Sequence, residues 1–207
     1  HGHTFPGAVV PHGMIQPSPD TRIDGWDACS GYYYADSTIN GFSHTHVSGT
    51  GCCDYGDVLL MPTVGKQQYR TTDPQSQRLA YASSFSHKNE IAEPGYYSVF
   101  LDTYQVKAEI SSTKRGAIHR YTFPENAESG FIIDLDYSLQ RQTNSEMEIE
   151  VISDTEICGH KKTTYWAFDQ YINFYAKFSK PFSYTLVTDS ITMDNGKRLP
   201  VCKALLH

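Results

Sequence analysis

Along much of this chain, apolar and polar residues alternate with a period of two, the spacing of a strand with one buried face and one wet face. In "EMEIEVIS", Met147, Ile149 and Val151 fall on one side and Glu146, Glu148 and Glu150 on the other. "YINFYAKF" repeats the pattern, with Ile172, Phe174, Ala176 and Phe178 sharing a face. "YYSVFLDTYQVKAEIS", "AIHRYTF", "GFIIDLDY", "TYWAF" and "YTLVT" are further short runs rich in aromatic and β-branched residues. Turn signals lie between them: Pro94-Gly95, Lys114-Arg115-Gly116, Pro124-Glu125-Asn126, Lys180-Pro181 and Asn195-Gly196. Regular short strands with polar turns predict an all-β fold, an antiparallel β-sandwich or barrel. Helical periodicity is nearly absent; the best candidate is the short stretch "PQSQRLAYASSF", residues 74–85.

The first 65 residues have a different texture. Pro6, Pro11, Pro17 and Pro19 and many glycines make this a segment of bends and brief extended pieces. Loops of that kind, carrying polar and aromatic groups, are where sites are usually built. At 207 residues the chain is long enough for one domain with a sizeable core. A net charge of -6 without a Lys/Arg cluster argues against a nucleic-acid or anionic-membrane surface. No apolar run reaches the roughly 18 residues that a membrane-spanning helix needs. The chain opens at His1 and stops within the apolar run Leu205-Leu206-His207, which reads as a segment cut from a longer, processed protein.

The chemistry-bearing residues crowd into "GFSHTHVSGTGCCDYGDVLLMP", residues 41–62. If that segment were a strand, His44 and His46 at i and i+2 would leave the same face, the geometry by which a cupin binds metal. The cupin pattern then needs a Glu where Thr50 and Gly51 stand, so the third ligand is missing. The competing reading puts one histidine in a buried hydrogen-bond network and the other at a cleft. Five cysteines, Cys29, Cys52, Cys53, Cys158 and Cys202, are an odd number without CxxC spacing, which argues against a zinc knuckle. Asp20, Asp24, Asp27, Asp36, Asp54 and Asp57 are plentiful enough for glycosidic acid–base chemistry. That chemistry depends on a separation in space that loop spacing does not set. Trp26 between Asp24 and Asp27 is the most sugar-like cluster, an aromatic platform beside acceptors; a core tryptophan is the equal alternative.

"GHTFPGAVVPHGMIQPSPDT" followed by "GYYYADSTINGFSHTHVSGTGCCDYGDVLLMPTVG" resembles the N-terminal domain of glycoside hydrolase family 92. The resemblance continues through "EPGYYSVFLDTYQVKAEISSTKRGAIHRYTFP" and "FYAKFSKPF", so it covers nearly the whole chain. It implies a bacterial, calcium-dependent, inverting exo-α-mannosidase acting on mannose-rich glycans at the cell surface or in the periplasm. It also implies that residues 1–207 form a β-sandwich of the galactose-mutarotase-like supersandwich type, the partner of a C-terminal (α/α)6 barrel absent from this chain. The general acid, the general base and most calcium ligands would then lie in that barrel, leaving neither a catalytic residue nor a metal ligand to name here.

On this reading Arg22, Trp26, His44 and His46 touch sugar, while Asp20, Ser48 and Asp54 hold the loops in shape. A stand-alone carbohydrate-binding module of β-sandwich type is the alternative. A mutarotase-like epimerase using His44 or His46 ranks lower, because no Glu precedes Glu90 to pair with either histidine.

Overall fold

A computed structural model describes residues 3–49, 53–70, 73, 75–141, 143–188 and 201–207, with Val201 and Cys202 described by their backbone alone. The Asn195-Gly196 turn and the cysteines Cys52 and Cys202 as side chains lie outside what is described. Fifteen strands are present among the described residues. They are β1 (Ser18–Asp20), β2 (Thr38–Ile39), β3 (Gly41–Ser43), β4 (Leu59–Val64), β5 (Ser83–Ser84), β6 (Ile91–Glu93), β7 (Tyr96–Leu101) and β8 (Val106–Ser112). The chain continues with β9 (Ala117–Thr122), β10 (Ser129–Asp134), β11 (Thr143–Val151), β12 (Glu156–Thr164), β13 (Gln170–Lys177), β14 (Tyr184–Thr188) and β15 (Val201–Leu206). Helix is limited to three single turns of the 3-10 type, Trp26–Ala28, His87–Asn89 and Leu139–Arg141.

The strands form a six-stranded sheet in the order β1-β3-β4-β10-β15-β14, a four-stranded sheet β6-β7-β8-β9, a three-stranded sheet β11-β12-β13 and the short pair β2-β5. Every pairing is antiparallel. The six-stranded sheet is the middle of three layers, and its register explains why. Ile132 stands opposite Met61 and Leu205, and all three enter one core with Tyr97, Val99, Leu101, Ala108 and Ile110 of the four-stranded sheet. The next residue, Ile133, stands opposite Leu60 and Ala204, and these enter a second core with Ile149, Ile157, Ile172 and Phe174 of the three-stranded sheet. Because β10 is covered on both faces, "GFIID" is a nearly continuous apolar run rather than an alternating one. The three-stranded sheet has one wet face, hence the alternation in β11 and β13.

The short helix expected over residues 74–85 is not formed; the described part is irregular and ends in β5. The Asn40 side chain occupies the backbone there, donating to the Gln77 carbonyl at 2.8 Å and accepting the Leu79 N–H at 2.9 Å. Tertiary partners thus take the groups that a helix would have bonded internally. The run "TYWAF" also departs from expectation. It forms the end of β12 and the tip of the β12–β13 hairpin, with Tyr165, Trp166 and Phe168 exposed.

Candidate functional site

The candidate site lies in the loops at one end of the central layer, and its foundation is Asp20, the last residue of β1. The carboxylate is fully buried. It accepts from Ser43 Oγ at 2.5 Å and faces His46 Nε2 at 2.8 Å. The other nitrogen of His46, Nδ1, lies 2.8 Å from the Gln16 carbonyl, and the Gln16 side chain accepts the His46 N–H at 3.1 Å. Both ring nitrogens therefore meet oxygen acceptors, and Phe5 covers the ring at 4.8 Å between centroids. Gly31 makes room for this network. It has φ +81, and a Cβ there would strike the Asp20 carboxylate.

His44 points elsewhere. β3 ends at Ser43, so the two histidines do not leave one strand face together. His44 Nδ1 donates to the Val58 carbonyl at 2.6 Å, leaving Nε2 as the acceptor for His119 Nε2 at 3.2 Å. His119 Nδ1 in turn accepts from the Tyr121 hydroxyl at 2.8 Å. Burial pushes both imidazoles below their ordinary range, His119 the further, and His44 also feels the positive end of His46. Among the described residues no group of three or more His, Cys, Asp or Glu side chains is arranged to hold a metal ion.

The remaining loops are pinned by partners distant in sequence. Arg22 grips Asp36 with two bonds of 2.9 Å, which raises its pKa further, and lies over the Tyr33 ring at 4.1 Å. Asp24 accepts from Arg141 at 2.8 Å and from the Gln77 amide, while Gln77 Oε1 takes the N–H groups of Ile23 and Asp24. Asp54 is buried and accepts the Tyr55 and Ala167 N–H groups, each at 2.9 Å. Asp57 meets the buried ammonium of Lys161 at 3.0 Å and accepts from Thr45 and Gln170, each at 2.8 Å. Desolvation lowers the Lys161 pKa against the pull of Asp57.

On this frame the named residues divide. Trp26, on the 3-10 turn, is 64% exposed and meets the edge of the His3 ring at 5.9 Å. Gly25 before it has φ +111, a left-handed bend that turns the tryptophan outward. Arg22 is half-buried and committed to Asp36; Ser48 lies exposed at the rim. The His46 side chain has no exposed surface, and both His44 nitrogens are engaged. The four residues expected to touch sugar are therefore not gathered in one constellation. Trp26 faces solvent, whereas His46 is enclosed with Asp20 and Gln16 and His44 is joined to Val58 and His119. Sequence reasoning missed Gln77, His119, Arg141 and Lys161, whose partners lie 24 to 117 residues away. No local pattern marks such pairs.

The Glycosyl hydrolase family 92 N-terminal domain model matches residues 1–200. A solved family GH92 α-mannosidase of Bacteroides thetaiotaomicron superposes with a TM-score of 0.85 at 35% identity, covering all of this chain and 28% of that one. The same enzyme has been solved with mannoimidazole, again at a TM-score of 0.85 and 35% identity, over all of this chain and 27% of that one. An uncharacterized secreted glycosidase of Arthroderma benhamiae is 32% identical over 128 residues, 60% of this chain and 16% of that protein. The chain thus spans well under a third of the length of these relatives. With the match running through both cores and the loops described above, the chain belongs to glycosyl hydrolase family 92, as its N-terminal domain.

Proposed function

We propose that this domain builds one wall of the sugar cleft of an inverting, exo-acting α-mannosidase, with the bond-breaking carboxyl groups supplied by a C-terminal (α/α)6 domain of the same protein. The observation that carries this reading is a contrast among the loops: Trp26 is exposed, while the buried carboxylates Asp20, Asp54 and Asp57 are each committed to a donor. The likeness to solved α-mannosidases, one holding mannoimidazole, supports mannose as the sugar. An inverting mannosidase of Bacteroides thetaiotaomicron, at 25% identity and a TM-score of 0.69 over all of this chain and 26% of that one, supports the stereochemistry.

In such a reaction a carboxylic acid protonates the leaving oxygen while a carboxylate activates water on the opposite face. The residues of this chain bind and orient. Trp26 offers its ring to the C–H face of a sugar, and Asp24, Arg141 and Gln77 hold the turn that carries it. Asp20 and His46 fix the bed on which the loops rest. Among the described residues no three His, Cys, Asp or Glu side chains converge as ligands, and Asp20, Asp57 and Asp134 are already paired with His46, Lys161 and Lys203. Most ligands of the calcium ion expected for the whole enzyme would then come from the C-terminal domain. Export to the periplasm or cell surface is the matching location, in keeping with a relative called secreted.

The test is Trp26→Ala in the whole enzyme. kcat/KM on an α-mannoside should fall more than about tenfold, the scale of a lost aromatic contact. Unchanged kinetics in a normally folded variant would remove Trp26 from the cleft. The separate domain should bind mannose or α-mannobiose little or not at all; clear binding would favour a stand-alone module instead.

A further inference from the structure

His44 closes the neck of the connection between β3 and β4. Its backbone N–H donates to the Asp57 carbonyl at 3.0 Å, and its Nδ1 donates to the Val58 carbonyl at 2.6 Å. One residue thus ties together the two ends of the connection that carries His46, Asp54 and Asp57. From the opposite layer, His119 on β9 reaches the same residue, Nε2 to Nε2 at 3.2 Å. The neck is therefore joined to the four-stranded sheet through two imidazoles, groups whose charge changes near neutral pH.

The bonding around the pair fixes where its protons sit. A backbone carbonyl only accepts, so the Val58 oxygen requires a proton on His44 Nδ1. His44 Nε2 is then a lone pair, His119 Nε2 carries the hydrogen between the rings, and His119 Nδ1 accepts from the Tyr121 hydroxyl at 2.8 Å. Each of these contacts is satisfied with both rings neutral. An added proton finds no such place. On His44 Nε2 it sets two N–H groups head to head. On His119 Nδ1 it forces Tyr121 to reverse, and the neighbouring rings of Phe42 and Phe131 offer that hydroxyl hydrogen no oxygen. The titratable groups facing the pair are Asp20 and His46 from the central layer and Tyr121 from β9. Burial dominates and holds both imidazoles below their ordinary range; Asp20 draws charge towards His44, and His46 opposes it. His46 itself meets oxygen at both ring nitrogens, so a proton there is accepted on either side.

We infer that the His44–His119 contact is an acid-operated latch: an added proton parts the neck of the β3–β4 connection from β9 while the rest of the fold stays closed. The other anchors of that connection do not depend on a neutral imidazole. Asp57 stays with Lys161, Asp54 with the Ala167 N–H, and His46 with Asp20. Acid therefore loosens the connection locally and reversibly, whatever bond the whole enzyme cleaves. Once parted, the rings titrate near the ordinary value of about 6.5. Opening then grows as pH falls below that value, by up to about tenfold per pH unit for each histidine.

The test is amide hydrogen exchange in the whole enzyme between pH 7 and pH 5, corrected for the intrinsic pH dependence of exchange. Peptides covering residues 41–49, 53–64 and 117–122 should open about tenfold or more often at pH 5, and protection should return when pH 7 is restored. Peptides of β11 should stay within about twofold. An equal rise in every peptide would overturn the latch and leave a general loss of stability; no rise at the neck would overturn it as well. His119→Gln, whose amide can donate to a neutral His44 or accept from a charged one, should reduce the pH dependence at the neck to that of β11. An undiminished dependence in that variant would assign the opening to other groups. Should the variant fail to fold, the parent enzyme decides through its slope: between one and two protons taken up per opening below about pH 6 support the latch, and none overturns it.

Discussion

On the outer face of the three-stranded sheet, charges pair in water: Lys177 meets Glu156 at 2.8 Å with 66% of the lysine side chain exposed. At the loop-bearing end of the central layer, Asp20 meets His46 at the same 2.8 Å with neither side chain exposed at all. The distances match, but the consequences of breaking them do not. An exposed pair exchanges one set of water contacts for another and contributes little. A buried pair, once broken, leaves an uncompensated charge or an unsatisfied donor in a medium that does not solvate it. The sheet therefore tolerates surface change, while the loop end is specified residue by residue.

The largest expected effect in the buried region is that of Asp20→Ala, which takes the carboxylate away from both His46 Nε2 and the Ser43 hydroxyl. Urea unfolding should show a loss of about 3–5 kcal/mol. A loss below about 1 kcal/mol would erase the distinction between the two regions. Lys161→Met should cost about 3 kcal/mol because it leaves Asp57 unpaired in the interior. Adding Asp57→Asn should recover much of that loss, and a purely additive double variant would show that the two groups are not coupled. In the sheet's own core, Phe174→Ala should cost about 3 kcal/mol through the cavity it leaves, read from the shift of the unfolding midpoint.

A smaller effect separates the two regions by pH. His44 and His119 have folded pKa values depressed by burial, so the folded state resists protons that the unfolded chain accepts. Their contribution is complete above the unfolded value of about 6.5 and is lost as pH falls below it. The melting temperature should decline from pH 7 towards 5. His119→Gln, which can still donate to His44, should flatten that decline; an identical slope would mean that other groups set it. The smallest effect belongs to the exposed sheet: Glu156→Ala should leave the urea unfolding midpoint nearly unchanged, and a clear drop would show that the exposed pair matters as the buried one does.

Legibility in the sequence follows the same division. The runs containing Ile149 and Phe174 announced their strands and their buried faces because a one-sided strand repeats every second residue. The candidate site was legible as a place, through its prolines, glycines and family-like motifs, but not as a geometry. His44 and His46 look like a pair in sequence and separate in space, one to His119 and one to Asp20. Asp54 pins its neighbour Tyr55, as a loop-holding residue would, and also clamps a hairpin 113 residues away. The misread run at Trp166 shows the limit of composition: aromatic residues fit a strand, yet here they cap a turn.

The sequence alone determined the all-β class, the faces of the outer strands and the family, because alternation and local motifs are written between near neighbours. The tertiary structure decided that β10 lies between two cores, that 74–85 is not a helix, and which polar groups are buried together. Those outcomes depend on which distant segment arrives to satisfy a given N–H, carboxylate or imidazole. A short-range pattern carries no record of that partner.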